Sequence, residues 1–514
     1  MKKYIILIML VPTMFACNSP KTANLGTTGN NDPVLPVDRR AVFCLSMLSN
    51  LPAATAFSGD TAGAIASIIN YSKPKIDSVL QFATDTSGGE NFNLKSWSRV
   101  WGPAVWVTSG DPMTAATKGT WVSSNSMTIF KDTANNYVMA IQATNPYCPY
   151  DWLTLDFSVV TTVSWPYNNG GGNISNGTFI GLNNLLGMVD DSQHISALTY
   201  MSNVTASNNT PVNIVVTGHS LGGALAPVYA LRLQEYFDTA TKNTKPNIYC
   251  LATAGATPGD SSFVQYYMNK DGGVLGKNTV RIWNNLDVIP HAWVDSLLTK
   301  VQNGIYDIPG GSVPYDSAYN SSCKNGAPPV AFTPIQTPLV IQDIIGGVKK
   351  VISLGMFLPK SKKYTQLCGN GISFTGALNN TTGNTSSPYF RVAPDTALYS
   401  SINYYLKKID STLDKLPLFS KNPFAGDTLT PKDSTTFFTQ LGAQHVPAYN
   451  LYFNVKGIHN FTRVLVEQDL NSIVNYCPTV NTVKKGKIQD IKIPAGITPY
   501  AAIMAAGLKK AWEW

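Results

Sequence analysis

The stretch Val212 to Leu233, "VNIVVTGHSLGGALAPVYALRL", decides how the rest of the chain is read. It opens on a short β-branched run, passes through Gly218-His219-Ser220-Leu221-Gly222, and continues as an Ala/Leu-rich segment with helical spacing. A G-x-S-x-G pattern alone is weak. With glycine and serine each near 7% of residues, a chain this long meets it by chance roughly once in six. Its context here is strand–turn–helix, the setting in which a serine hydroxyl is presented at the carboxyl edge of a sheet. Glycines on both sides leave room for the strained backbone that such a turn imposes.

Around this turn, short apolar runs alternate with helical patterns. "SMTIF" and "YVMAIQA" read as strands joined through "KDTANN", and a helical stretch follows around Phe179 to Met201. "IYCLATA" and "TVRIWN" read as two further strands, and "RRAVFCLSMLSNL" and "AGAIASIINYSKPKIDSVLQFA" as helices ahead of them. The alternation predicts an α/β fold with a mostly parallel central sheet and helices on both faces. Residues 296–439, rich in Pro, Gly and Asn, read as a large insertion that decorates the sheet, with one apolar helical candidate, "PLVIQDIIGGVKKVISLGMF".

A serine nucleophile needs a histidine base, and the base needs a carboxylate. In sheets of this kind the chain order is serine, acid, histidine. Five histidines make elimination practical. Asp287, after the apolar run in "RIWNNLDVIPHAW", is the acid candidate, so His194 and His219 come too early. His291, four residues on, reads as a loop-packing residue. The base is then His445 in "GAQHVPAYNLYF" or His459 in "KGIHNFTRVL"; His445, which has a tyrosine nearby and follows an expected helix, is the preferred candidate.

These stretches resemble the lipase class 3 family, α/β hydrolases related to fungal triacylglycerol lipases. "VTGHSLGGALA" is similar to that family's serine elbow, "TAGATPGD" (Thr253 to Asp260) to its next strand and loop, and "RIWNNLDVIPH" to its acid motif with Asp287 in the acid position. "VMAIQATNPYCPYDWLTLDF" (Val138 to Phe157) resembles its oxyanion strand, although "QAT" stands where the family has an arginine and a glycine. The resemblance spans about a third of the chain. It implies an α/β-hydrolase fold and a triad of Ser220, Asp287 and a later histidine, for which His445 and His459 are the candidates. It places the oxyanion hole at Thr144 and the backbone N–H of Leu221, and a lid at "DWLTLDFSVVTTVSWP" (Asp151 to Pro166). It also implies hydrolysis of lipid esters, most directly acylglycerols, without metal or organic cofactor. Phospholipase A1 or soluble-ester esterase activity would use the same residues. An inactive envelope protein on a hydrolase scaffold is the remaining reading, because fold does not dictate activity.

Composition agrees with export. The 514 residues are 44% hydrophobic but only 13% charged, and the formal charge of +8 is spread thinly, without the basic clusters of a nucleic-acid binder. "MKKYIILIMLVPTMFAC" has two lysines and an apolar run too short to span a bilayer, ending at Cys17. It resembles a bacterial lipoprotein signal, with Cys17 the acylated residue and 18–38 a tether to a domain beginning at 39; plain secretion is the alternative. The expected location is the cell envelope, facing periplasm or surface. Of the other six cysteines, Cys323 and Cys368 are the candidate disulfide, while Cys250, inside an apolar run, reads as a buried thiol. No C-x-x-C or H-x-x-H spacing suggests zinc.

Overall fold

The computed structural model describes residues 21–22, 35–86, 91–110, 119–145, 148, 150–156, 158–159, 161–240, 244–306, 363–367, 370–376, 441–442 and 444–475, with 342, 346 and 349. Strands are numbered here in chain order. The main sheet contains β1 (Lys21–Thr22), β2 (Ala56–Phe57), β5 (Trp97–Ser109), β6 (Trp121–Asp132), β7 (Asn136–Ile141), β10 (Asn213–His219), β11 (Asn247–Thr253), β12 (Thr279–Asn284) and β13 (Asn370–Phe374). Two small ribbons, β3 (Thr84–Asp85) with β4 (Phe92–Asn93) and β8 (Thr162–Ser164) with β9 (Asn173–Ser175), lie outside it.

The order is β1-β13-β12-β11-β10-β7-β6-β2, with β5 also on β6. From β1 to β7 all pairings are parallel, whereas β5, β6 and β7 form an antiparallel meander. This mostly parallel sheet with helices on both faces is the α/β-hydrolase architecture. The expected hairpin of "SMTIF" and "YVMAIQA" is present as β6 and β7. The stretch Phe179 to Met201 divides into two helices, Asn176–Gly187 and Ala197–Ser207, each N-capped by a serine hydroxyl.

Strand alternation divides the interior. On β10, Val215 joins a core with Phe43, Val138 and Tyr449, while Ile214 and Val216 join one with Met139, Leu225 and Tyr229. The first core lies under the helices Arg39–Leu48 and Pro447–Tyr452, and the second under Leu221–Thr239. Chain segments about four hundred positions apart therefore share one face of the sheet. Among the described residues no helix is long and apolar enough to cross a membrane.

Two boundaries differ from expectation. Residues 370–374, expected in a decorating insertion, form β13, paired with β12 from Val280↔Asn370 to Asn284↔Phe374. Five residues carry too little periodicity to stand out in a Pro/Gly/Asn-rich region. Lys21 and Thr22, expected in the tether, pair with Ile372 and Ser373. Most of 307–440, the apolar helical candidate included, lies outside the described residues, as do Cys17, Cys323, Cys368 and Cys477. Cys250 is a buried free thiol, as are Cys44 and Cys148.

The turn after β10 is held by close backbone contacts. A Cβ on Gly218 would lie 2.3 Å from the carbonyl carbon of Gly222, and one on Gly222 would lie 2.4 Å from the Ile141 carbonyl oxygen. Neither neighbour is a flexible side chain, so a methyl group can enter only by moving the start of the helix Leu221–Thr239 away from β10 or from the end of β7. Gly222→Ala is expected to cost about 1–3 kcal/mol of stability through overpacking. A lower urea midpoint at unchanged slope would show this; a midpoint equal to wild type would contradict it.

Candidate active site

Ser220 sits between β10 and the helix Leu221–Thr239 with φ 58° and ψ −121°, a conformation that L-residues avoid. Backbone bonds impose it: the Ser220 N–H donates to Thr253 O at 3.0 Å, and Ser220 O accepts from Ala224 N–H at 3.0 Å. The serine stands at the carboxyl end of β10 and is 7% exposed, so its surroundings are mostly desolvated. Leu221 is the first helical residue, where backbone N–H groups have no intrahelical acceptor.

Asp287 follows β12 and is fully buried. Its Oδ1 accepts from Ile289 N–H at 3.0 Å. Its Oδ2 accepts from His445 Nδ1 at 2.8 Å and from Tyr449 OH at 3.1 Å. A buried carboxylate needs such donors, since leaving it unpaired is costly. Nδ1–H facing Asp287 leaves Nε2 of His445 as the basic nitrogen. His459 does not share this place. It lies on the helix Lys456–Asn475, which packs against Thr61–Phe82. His291 is the packing residue it was expected to be, buried, with Nδ1 2.7 Å from the Asp287 carbonyl oxygen.

The segment bearing His445 is docked onto the sheet by side chains. Asn284 Nδ2 donates to Gln444 O at 3.0 Å and to Gln444 Oε1 at 2.8 Å, and Asn284 N–H donates to Tyr449 OH at 2.9 Å. Phe43 stacks on Phe453 with centroids 4.2 Å apart, and Phe374 on Tyr452 at 4.3 Å. Burial, and then the Asp287 charge, push the Tyr449 phenol well above its ordinary range, so it stays a neutral donor to the carboxylate. Arg281, buried near Asp287, donates to the carbonyls of Gly255 and Pro290, and burial lowers its pKa to about 10.

Thr144 lies just past β7, in a turn anchored on either side. Gln142 Nε2 donates to Ser124 O at 3.1 Å, Ala143 N–H to Asn50 Oδ1 at 2.7 Å, and Asn145 N–H to Asp151 Oδ2 at 2.7 Å. Thr144 Oγ1 donates to Asp156 Oδ2 at 3.1 Å. Asp151 and Asp156 belong to one π-helical turn, Asp151–Asp156, within the stretch expected to form the lid. Burial pushes Asp151 well up, and pushes Asp156 to about 7 against the opposing pull of the Thr144 hydroxyl and His445.

The structure thus brings Asp287 and His445 into contact beside the Ser220 elbow. Thr144 stands in the turn after β7, the strand whose end packs on Gly222. Sequence reasoning missed Asn284, Gln444, Asp151 and Asp156. Asn284 stands only three residues before the acid, and both aspartates lie in the quoted lid stretch, but nothing in their spacing marks a partner.

Residues 138–296 match the lipase (class 3) family. That span holds Ser220, Asp287 and the turn that carries Thr144, while His445 lies beyond it. Among solved structures, the crystal structure of M37 lipase aligns with a TM-score of 0.50 at 21% identity, over 78% of this chain and 98% of that one. Lip2 lipase from Yarrowia lipolytica aligns with a TM-score of 0.30 at 13% identity, over 50% of this chain and 75% of its own. No curated protein matches the sequence. The fold is that of a lipase-like α/β hydrolase.

Asp156 makes stability depend on pH. With its folded pKa raised to about 7, the native state keeps a proton that the unfolded chain releases above roughly pH 4. Stability contributed by this group is complete below pH ~4 and is lost as pH rises through about 7. Asp156→Asn should flatten that part of the melting-temperature profile; an unchanged slope would exclude Asp156 as its source.

Proposed function

We propose that this protein is a serine carboxylic-ester hydrolase, a lipase cleaving acylglycerol esters through Ser220, His445 and Asp287. The observation that carries this reading is the 2.8 Å bond from His445 Nδ1 to a buried Asp287 beside a serine held at φ 58°. The class 3 lipase match over 138–296 supports the ester as substrate class.

In this mechanism Ser220 Oγ attacks the ester carbonyl carbon and His445 Nε2 takes its proton. Asp287 stabilises the imidazolium through Nδ1–H, and Tyr449 OH donates to the same carboxylate oxygen. The carbonyl oxygen, now an oxyanion, receives the Leu221 N–H and the Thr144 N–H, with the Thr144 hydroxyl close by. Loss of one such donor typically costs about 2.7–4 kcal/mol in the transition state. The intermediate collapses as His445 protonates the departing alcohol, leaving an acyl-serine. Water, deprotonated by the same nitrogen, releases the acid. Every step is a proton transfer through His445 or an acyl transfer from substrate to Ser220 and then to water, so the mechanism calls on no cofactor.

The export reading is part of the proposal. Acylation at Cys17 would hold the enzyme at a bilayer, each buried methylene contributing about 0.8 kcal/mol. The stretch Asp151 to Pro166 would serve as the lid, since its first turn carries the Asp156 carboxyl that holds Thr144.

With p-nitrophenyl esters, Ser220→Ala and His445→Ala should each lose about 10⁴-fold or more in kcat, while His459→Ala stays within a few-fold of wild type. Turnover by Ser220→Ala equal to wild type would end the enzyme reading. A dead His459→Ala beside an active His445→Ala would overturn the triad. Faster hydrolysis of emulsified long-chain ester than of soluble butyrate is expected for a lipase, and the opposite preference would make it an esterase. Cys17→Ala should move the protein from the membrane fraction to the soluble one on fractionation of the producing cells; retention in the membrane would refute the anchor.

A further inference from the structure

A second histidine stands within the site, and ester hydrolysis leaves it no proton to carry. His219 precedes the nucleophile on β10 and is 2% exposed. Its ring lies edge-on to Tyr449 at 5.0 Å and to Phe43 at 5.9 Å, and tilted against His445 at 4.8 Å. Nε2 is 2.7 Å from the backbone carbonyl oxygen of His445, and Nδ1 is 3.1 Å from Thr253 Oγ1. A carbonyl only accepts, so Nε2 carries the proton and Nδ1 accepts from the Thr253 hydroxyl. That hydroxyl has a second acceptor at 3.1 Å, the Gly218 carbonyl oxygen, so its single proton is shared between strand and ring. Burial, and then the nearness of His445, lower the basicity of His219, which agrees with a neutral ring.

The bond joins two elements that nothing local would place together. Residues 219 and 445 are 226 positions apart, and the second is reached only after the long 296–439 region. Contacts from Asn284 and Asp287 tie the 444–449 segment to the acid's strand. The His219 bond ties it to the nucleophile's strand. We propose that His219 is a positioning residue whose Nε2–H grips the His445 carbonyl and so sets the reach of the base toward Ser220. The proposal rests on the reading of Ser220 and His445 as nucleophile and base.

The test compares His219→Phe, which keeps a ring without a donor, with His219→Gln, whose amide offers a donor at similar reach. Activity on p-nitrophenyl butyrate is expressed per site titrated with a fluorophosphonate, and folding is checked by thermal melting. His219→Phe should lower kcat roughly 10–100-fold with KM within about twofold, the size of effect expected from a misplaced catalytic group. His219→Gln should recover most of the loss. A readout independent of turnover is the low-field proton resonance of His445 Nδ1–H, expected in wild type and His219→Gln and broadened away in His219→Phe. Should His219→Phe not fold, His219→Asn, whose amide stops short of the carbonyl, carries the same expectation. A wild-type kcat in the donor-less variant, or equal loss in the Phe and Gln variants, overturns the proposal. Inactivity of the wild type itself would instead refute the hydrolase reading, and the resonance would still decide the His219 contact.

Discussion

The close approach of the turn after β10 to the strands on either side of it governs the site. Gly222 rests on the carbonyls at the end of β7, and the Ser220 N–H is bonded to the last residue of β11. With the turn compressed from both sides, Ser220 has no room for an ordinary conformation. Strain of this kind costs about 1–3 kcal/mol and persists only when the surroundings over-determine it. Here they do, because relaxing the serine would require breaking sheet pairing between parallel strands buried on both faces. The same compression brings the first residues of the helix Leu221–Thr239 against the turn that carries Thr144. The backbone of Ser220 and the turn that carries Thr144 are therefore set by one constraint.

Asp287 and His445 are held in contrasting ways. Asp287 comes directly from the end of β12, and its carboxylate is filled by a backbone N–H, an imidazole and a phenol. His445 comes from no strand. It is delivered by a segment packed through aromatic rings onto the face that already holds Phe43, with Asn284 bridging the two. Polar and apolar contacts divide the work: stacked rings supply buried area, while directional bonds from Asn284, Asp287 and His219 specify one arrangement.

How much was legible in the sequence follows from this division. Local pattern carried the parts built locally. The β-branched run before Gly218 and the helical spacing after it place Ser220, and the apolar run before Asp287 places that residue at a strand end. Chain order then left His445 and His459, and the structure puts His445 on Asp287 because its neighbours Gln444 and Tyr449 have partners on β12. That pairing is a long-range fact with no periodic signature. The same holds for β13: a five-residue strand is recognisable only beside β12. Thr144 was legible as a position, but its hold by Asp156 depends on how a π-helical turn folds back, which twelve residues of spacing do not reveal.

The long separation of Asp287 and His445 costs less than it suggests. Asp287 and His445 are 158 positions apart, yet closing a loop grows only logarithmically with its length, each doubling adding about 0.6 kcal/mol. A span a quarter as long would save about 1.2 kcal/mol by this scaling. Burying one large aromatic side chain contributes about 1.5–3 kcal/mol, and the docked segment buries Tyr449 and Phe453 almost completely. The packing of this one segment therefore offsets the added loop entropy, which makes the interval between Asp287 and His445 a place where the fold can take added length without moving their contact. What such length does remove is local guidance of His445, and the contacts that hold its segment come instead from Asn284 on β12 and His219 on β10.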